Sequence, residues 1–234
     1  MIRIIKTLLF CLCAQTIWAQ YKDAGLWAET GLAWDYSKKW EFKAVPEMRF
    51  NENISQLSRV FLDLGAQYNI HSAVQVSLAY RTGLADSDGQ WEMRNRFQIG
   101  LGFKKKWREW VFSYAPRWQM SLAPAVGFEA DVATTMRNRL QIKYGGYKDW
   151  DFSSSFEFFH STGFFDFGTW QNWRWTNQAN YELNKRKSVS VGYLIQKRLI
   201  GSPQELDFVI MVGYEYKMGK RKKSSQNKGK AFAQ

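Results

Sequence analysis

Met93-Arg94-Asn95-Arg96-Phe97-Gln98-Ile99 and Met136-Arg137-Asn138-Arg139-Leu140-Gln141-Ile142 are one phrase written twice, MRNRFQI and MRNRLQI. Read with a period of two, Met93, Asn95, Phe97 and Ile99 share one face, and Arg94, Arg96 and Gln98 share the other. The second copy repeats this with Met136, Asn138, Leu140 and Ile142 against Arg137, Arg139 and Gln141. A helix would send arginines two apart to diverging faces, whereas a strand stacks them on one. An apolar face backed by an arginine face suits a strand between lipid and a wet lumen. It equally suits a half-exposed strand of a soluble sandwich, and the rest of the chain has to choose.

The same alternation recurs at intervals of about twenty residues. Trp40, Phe42, Ala44, Met48 and Phe50 alternate with Glu41, Lys43, Val45, Glu47 and Arg49. Val60, Leu62, Leu64, Ala66 and Tyr68 alternate with Arg59, Phe61, Asp63, Gly65 and Gln67. Further runs centre on Leu78, Trp110–Met120, Trp150–Phe158, Trp173–Tyr181, Val189–Ile195 and Leu206–Tyr216, after an opening strand from Leu26 to Tyr36. Eleven candidates result, most of them long enough for a tilted spanning strand of about 9–11 residues. Bacterial single-chain barrels use even strand numbers, so ten or twelve strands are expected.

The connections alternate in length. Ser37–Lys39, Asn69–Ser72, Lys104–Glu109, Gly145–Asp149 and Asn184–Lys187 are short and polar. Asn51–Gln56, Ala85–Gln90, Ser121–Asp131, Ser161–Thr169 and Leu199–Glu205 are longer. Tight periplasmic turns opposite longer external loops mark an outer-membrane barrel. The aromatics agree: Trp34, Trp40, Tyr68, Trp110, Tyr144, Trp150 and Tyr181 flank the short turns, and Phe50, Tyr80, Trp91, Trp118, Phe158, Trp170 and Trp173 the long ones. Two rows at opposite strand ends are the girdles of a membrane barrel. The fold class predicted is all-β, a single antiparallel transmembrane β-barrel of about 10–12 strands.

Residues 1–19 read as a signal peptide, with Arg3 and Lys6 before an apolar run and a cut after Ala19. Both cysteines, Cys11 and Cys13, lie inside it, so the mature chain carries no thiol chemistry. The formal net charge is +12, but nine of the 33 basic residues lie in the signal or from Lys217 onward. That leaves 24 against 21 acids on the body, a balance that argues against nucleic-acid binding. The expected organisation is a signal peptide at 1–19, a barrel over 20–217 and a basic, disordered tail over 218–234. Its expected location is the outer membrane of a diderm bacterium, among lipid and lipopolysaccharide and reached through the barrel insertion machinery.

The export signal ending Ala19-Gln20, the opening Asp23-Ala24-Gly25-Leu26-Trp27, the turn Ser37-Lys38-Lys39-Trp40, and the Arg-x-Arg strands at Arg94/Arg96 and Arg137/Arg139 together resemble one family. It is the bacterial outer-membrane family catalogued as domain of unknown function 2490. The resemblance spans nearly all of the mature chain and implies a barrel and an outer membrane. It implies no activity, ligand or catalytic residue. The basic tail after Tyr216 departs from barrels that end on the aromatic residue of the last strand.

Catalysis at a barrel rim could use a histidine beside a serine: His71 sits in a short turn, whereas His160 with Ser161 stands at the mouth of a long loop, near Glu157 and Asp166. Neighbours on a strand point to opposite faces, which separates the two. They support only an alternative reading as an envelope- or lipid-modifying hydrolase. No spacing suggests a metal site or cofactor. The inward face carries Lys43, Arg49, Arg59, Arg81, Arg117, Lys143 and Arg174 besides the paired phrases, against Glu29, Glu41, Glu47, Asp63, Glu92, Glu157, Glu182, Asp207 and Glu215. Such a lumen either selects small anions or is filled by interstrand ion pairs. Arg94, Arg96, Arg137 and Arg139 are the candidates for an anion-attracting patch. The function expected is a non-enzymatic outer-membrane barrel, either a narrow channel or a structural or binding barrel. Mass-spectrometric reading of the mature N-terminus should begin at Gln20, and a mature form retaining Cys11 would refute the export reading.

Overall fold

The computed structural model describes residues 23–87, 89–122, 132–162, 167–200 and 206–219. The signal segment 1–19 and the tail from 220 onward lie outside these residues. The described residues form eleven strands and no helix: β1(Asp23–Asp35), β2(Trp40–Asn51), β3(Gln56–His71), β4(Val74–Ser87), β5(Gln90–Trp107), β6(Trp110–Leu122), β7(Val132–Tyr147), β8(Trp150–Thr162), β9(Phe167–Glu182), β10(Lys187–Arg198) and β11(Leu206–Gly219). Met218 and Gly219, assigned to the tail from the sequence, are thus the last residues of β11.

Each strand pairs antiparallel with the next, and the sheet closes on itself through β1 and β11. The expectation of ten or twelve strands is therefore corrected to eleven. The opening segment is a full strand of 13 residues. Consecutive strands of a meander alternate in direction, so an odd number returns the first and last strands pointing the same way. The closing ladder, from Asp23↔Asp207 to Asp35↔Gly219, is accordingly parallel, the one such pair in the barrel.

The strand faces follow the alternation in the sequence. Met93, Phe97, Ile99 and Leu101 point outward at 56%, 43%, 48% and 46% exposure, with Leu140 and Ile142 beside them on β7. Among the described residues six hydrophobic side chains are buried, whereas large hydrophobics are exposed on every strand from β1 to β11. A continuous apolar exterior of this kind is the surface of a transmembrane barrel, with the polar residues turned in.

The first residues of β2, β6 and β8 are tryptophans, and each packs at a tilt against a tyrosine of the following strand. Trp40–Tyr68, Trp110–Tyr144 and Trp150–Tyr181 have ring centroids 4.9, 4.8 and 4.9 Å apart and are directly in register. This is the girdle at the short-turn end. The asparagine of each MRNR phrase sits on the outward face, where an amide is costly. Tyr80 Oη donates to Asn95 Oδ1 at 2.9 Å and Tyr114 Oη to Asn138 Oδ1 at 2.7 Å, so each amide oxygen is satisfied by a neighbouring strand.

At the other end the expected long loops are uneven. The β2–β3 connection is the four residues 52–55 and the β4–β5 connection the two residues 88–89, with Gly89 at φ 82. Ladders run on through the polar residues expected to be loop, so both are tight turns and the strict short–long alternation fails there. Residues 123–131, 163–166 and 201–205 of the other three loops lie outside the described residues. Placing a lysine at Phe97 or Leu140 should cost about 2–4 kcal/mol near the middle of a bilayer. Unfolding of the vesicle-inserted barrel in urea measures this, and an unchanged midpoint would invert the assignment of faces.

Candidate functional site

The inward face encloses two cavities that meet at Glu29, Gln178 and Ser190. The cavity at the short-turn end has a volume of ≈ 430 Å³ and is walled by paired, half-exposed charges. Lys43 lies 3.2 Å from Glu41 and 3.6 Å from Glu215, Lys217 lies 3.1 Å from Glu215, and Lys143 lies 2.8 Å from Asp151. The second cavity runs toward the opposite end, with a volume of ≈ 770 Å³. Arg49, Arg59, Arg81, Arg96, Arg137, Arg139, Arg174 and Arg198 line it, against Glu29, Glu47, Asp86, Glu157 and Asp207.

Two carboxylate hubs hold most of these arginines. Glu47 takes Arg49 from its own strand and Arg81 from β4 at 3.1 Å, and Asp63 takes the same Arg81 at 2.5 Å. On the facing wall Glu157, its side chain 3% exposed, takes Arg137 at 2.6 Å, Arg139 at 3.4 Å and Arg174 at 3.6 Å. A carboxylate this buried is tolerated because three guanidinium groups replace its water.

Aromatic rings join the hubs. Arg81 and Arg49 lie over Phe61 at 4.7 and 5.4 Å, and Arg49 and Arg174 over Trp27 at 3.6 and 5.1 Å. Arg174 and Arg137 lie over Phe159 at 5.2 and 5.3 Å. Arginines and rings therefore alternate from β4 across β1 to β7. The step from Arg174 to Trp27 passes two strands, β10 and β11, which contribute the buried Leu194 and Val209. Such contacts gain strength when desolvated, reaching about 2 kcal/mol.

Three arginines stand apart. Arg59, Arg96 and Arg117 face the lumen with no carboxylate within ion-pair distance among the described residues. Arg96 Nε donates only to Ser121 Oγ, at 3.1 Å. Arg59 sits opposite Arg49, Arg96 opposite Arg81 and Arg117 opposite Arg137. Gly100 makes room for Arg117, since a Cβ there would lie 2.8 Å from Arg117 Cγ. Within the Glu157 hub, Arg137 Nε and Arg139 Nε are buried without a hydrogen-bond partner. An unmet buried donor costs about 1–3 kcal/mol.

The four arginines expected to form one patch divide. Arg96, Arg137 and Arg139 line the same cavity, whereas Arg94 pairs with Glu92 of its own strand at 2.5 Å and is half-exposed. His160 points outward opposite Met136, its ring 5.4 Å from that of Trp170. Ser161 turns to the other face opposite Thr135, with its Oγ 3.3 Å from the Thr169 carbonyl oxygen. They do not meet. Asp166 lies outside the described residues. Among the described residues no cluster of three histidine or carboxylate side chains could hold a metal ion. Trp27, Phe159 and Arg198 are site residues that the sequence reading did not place in the lumen, and Trp27 is the clearest of them. Its signal was available, because it shares the parity of Glu29 and so stands on the polar face.

A closed barrel with an apolar exterior and an arginine–carboxylate lumen defines the class. The chain belongs to the family described as protein of unknown function (DUF2490), which matches residues 24–204. No curated protein matches it. Among solved structures it is similar to the anion-selective porin from Comamonas acidovorans, with 11% identity over 74% of this chain and a TM-score of 0.37. The match covers 52% of the porin chain, so this chain spans about half of its length.

Glu157→Gln should destabilise the barrel by about 3–5 kcal/mol, because it leaves buried guanidinium groups without their counter-ion. Glu92→Gln should cost at most about 1 kcal/mol, since its pair with Arg94 is open to water. Urea titration of the folded, lipid-inserted proteins compares the two, and equal costs would contradict the hub.

Proposed function

We propose that this chain is an integral, non-enzymatic barrel of the bacterial outer membrane whose lumen admits small anions. The observation that carries the reading is the excess of guanidinium groups over carboxylates along the larger cavity, with Arg59 and Arg96 outside the carboxylate hubs. A narrow lumen with low-dielectric walls focuses that positive potential and raises the local concentration of anions. The apolar exterior and the Trp/Tyr girdle support a place in the outer membrane, in contact with lipid and lipopolysaccharide. Assembly there would run through the barrel insertion machinery.

A second reading rests on the alternating arginine–ring chain that links β2 and β1 to β9. It crosses the lumen, and in that reading the charges are struts of a closed structural barrel. Nothing comparable favours a hydrolase, because His160 and Ser161 face opposite sides of the wall. Planar-bilayer recording under a potassium chloride gradient separates the two readings. A reversal potential displaced toward that of chloride is expected, and Arg96→Gln with Arg117→Gln should move it toward that of potassium. Insertion without conductance would overturn the channel and leave the struts. Cation preference in the unaltered protein would overturn the anion reading.

A further inference from the structure

The exterior is largely apolar, yet one groove in it ends on a cation. Phe103, Tyr114, Leu140, Phe156 and Trp175 form a row of outward side chains, in register from β5 to β9. The next row toward the short turns runs Lys105, Phe112, Ile142 and Ser154. A groove lined by both rows crosses this wall, and it climbs. Lys105 lies two residues from the short-turn end of β5, Ser154 four from that of β8 and Trp175 seven from that of β9. The groove thus leads from the aromatic girdle toward the middle of the wall. At its inner end the indole N–H of Trp175 is spent on Ser154 Oγ, at 3.1 Å.

The outer end carries unanswered charge. Lys105 shares the outward parity of Phe103 and Trp107, is exposed, and has no carboxylate within ion-pair distance among the described residues. In the β5–β6 turn, Arg108 adopts φ 55 and lies over the Trp107 ring at 5.6 Å. The acid of this turn, Glu109, leans toward its neighbour, since a Cβ on Gly146 of the β7–β8 turn would lie 2.8 Å from Glu109 Cγ. A second exterior groove, over Leu64, Leu78 and Phe97, has no such end. The lysine on its border, Lys43, faces the lumen and pairs with Glu41 and Glu215.

We propose that this groove binds one acidic phospholipid of the leaflet at the short-turn end, with an acyl chain along the groove and the phosphate between Lys105 and Arg108. The proposal deepens the reading of the chain as an outer-membrane barrel and rests on it, but it does not depend on whether the lumen conducts. A phospholipid joins an anionic head to a hydrocarbon chain, and the groove joins a cationic end to an apolar climb in the same order. The head then sits at the level of the girdle, where Trp107 and Trp110 set amphipathic rings at the hairpin end. From there long basic side chains reach a phosphate while their stems stay against hydrocarbon. A zwitterionic lipid offers the same chain without the net charge, so head charge is what the site distinguishes.

The test uses the full mature chain folded in a neutral detergent, with equimolar dioleoylphosphatidylglycerol and dioleoylphosphatidylcholine added. Native mass spectrometry reads which lipid the folded protein retains, and the two lipids differ only in their heads. One phosphatidylglycerol should be retained in preference, and equal retention of both would overturn the site. Lys105→Gln with Arg108→Gln should lower that retention about thirty-fold, roughly five-fold for each basic residue removed from an anionic lipid surface. Lys148→Gln removes the matching cation of the β7–β8 turn, which lies over Tyr147 at 5.9 Å. It should leave retention unchanged, and an equal loss there would reduce the site to the general charge of the rim and overturn it. Ser154→Leu narrows the inner groove and leaves every charge in place. It should lower phosphatidylglycerol retention as well, and it serves as the test if the double variant does not fold. Unchanged retention in Ser154→Leu would overturn the proposal. The two levels of the reading fail separately. A chain that does not insert into phosphatidylcholine vesicles would refute the membrane barrel, whereas insertion without preference for phosphatidylglycerol would remove the site alone.

Discussion

A sheet that is apolar on its outside all the way round has no water there to satisfy a free edge, so its first and last strands must find each other. In this chain they do so in parallel, because eleven strands in a meander leave β1 and β11 running the same way. The parallel ladder is as continuous as the antiparallel ones, extending over the whole length of β1. Closure at eleven strands also sets the circumference. It is small enough that long inward side chains from opposite walls meet, and everything distinctive about the lumen follows from that.

The meeting is organised by rings as much as by carboxylates. Glu47 and Asp63 on one side, and Glu157 on the other, neutralise the arginines nearest to them. Between these hubs the cations lie on Phe61, Trp27 and Phe159, whose faces tolerate a guanidinium plane where a second carboxylate would not fit. The same wall therefore contains two kinds of arginine. Those in the hubs hold strands together; of those outside them, Arg59 and Arg96 line the cavity. A count of charges on the inward face mixes the two and suggests near balance. Their positions separate them.

The exterior obeys a different economy. Two of its polar residues, Asn95 and Asn138, are answered by tyrosine hydroxyls from β4 and β6 rather than by solvent. The repeated phrase is thus completed by a tyrosine that its own sequence does not contain, once in each copy.

Alternation is a local property, fixed by the two-residue period of any strand, and so the sequence alone determined the strands, their two faces, the apolar exterior and the charged lumen. It placed Arg96, Arg137 and Arg139 on the inward face and set His160 and Ser161 on opposite ones, and the short motifs that suggested the family were sufficient for it. A general preference for even barrels points to ten or twelve strands, whereas the eleven segments visible in the sequence all join the sheet and close it through a parallel pair. Polar residues at a strand end look like loop until their partners are known, and Asn51, Gln56, Ser87 and Gln90 all belong to ladders. What only the tertiary structure decided is who meets whom. Arg94 finds Glu92 two residues away, while Arg174 finds Trp27 from the far end of the chain, and nothing in either neighbourhood distinguishes the two fates. Partnership in a barrel depends on register and on closure, both of which are set between strands, and no stretch of one strand carries that information.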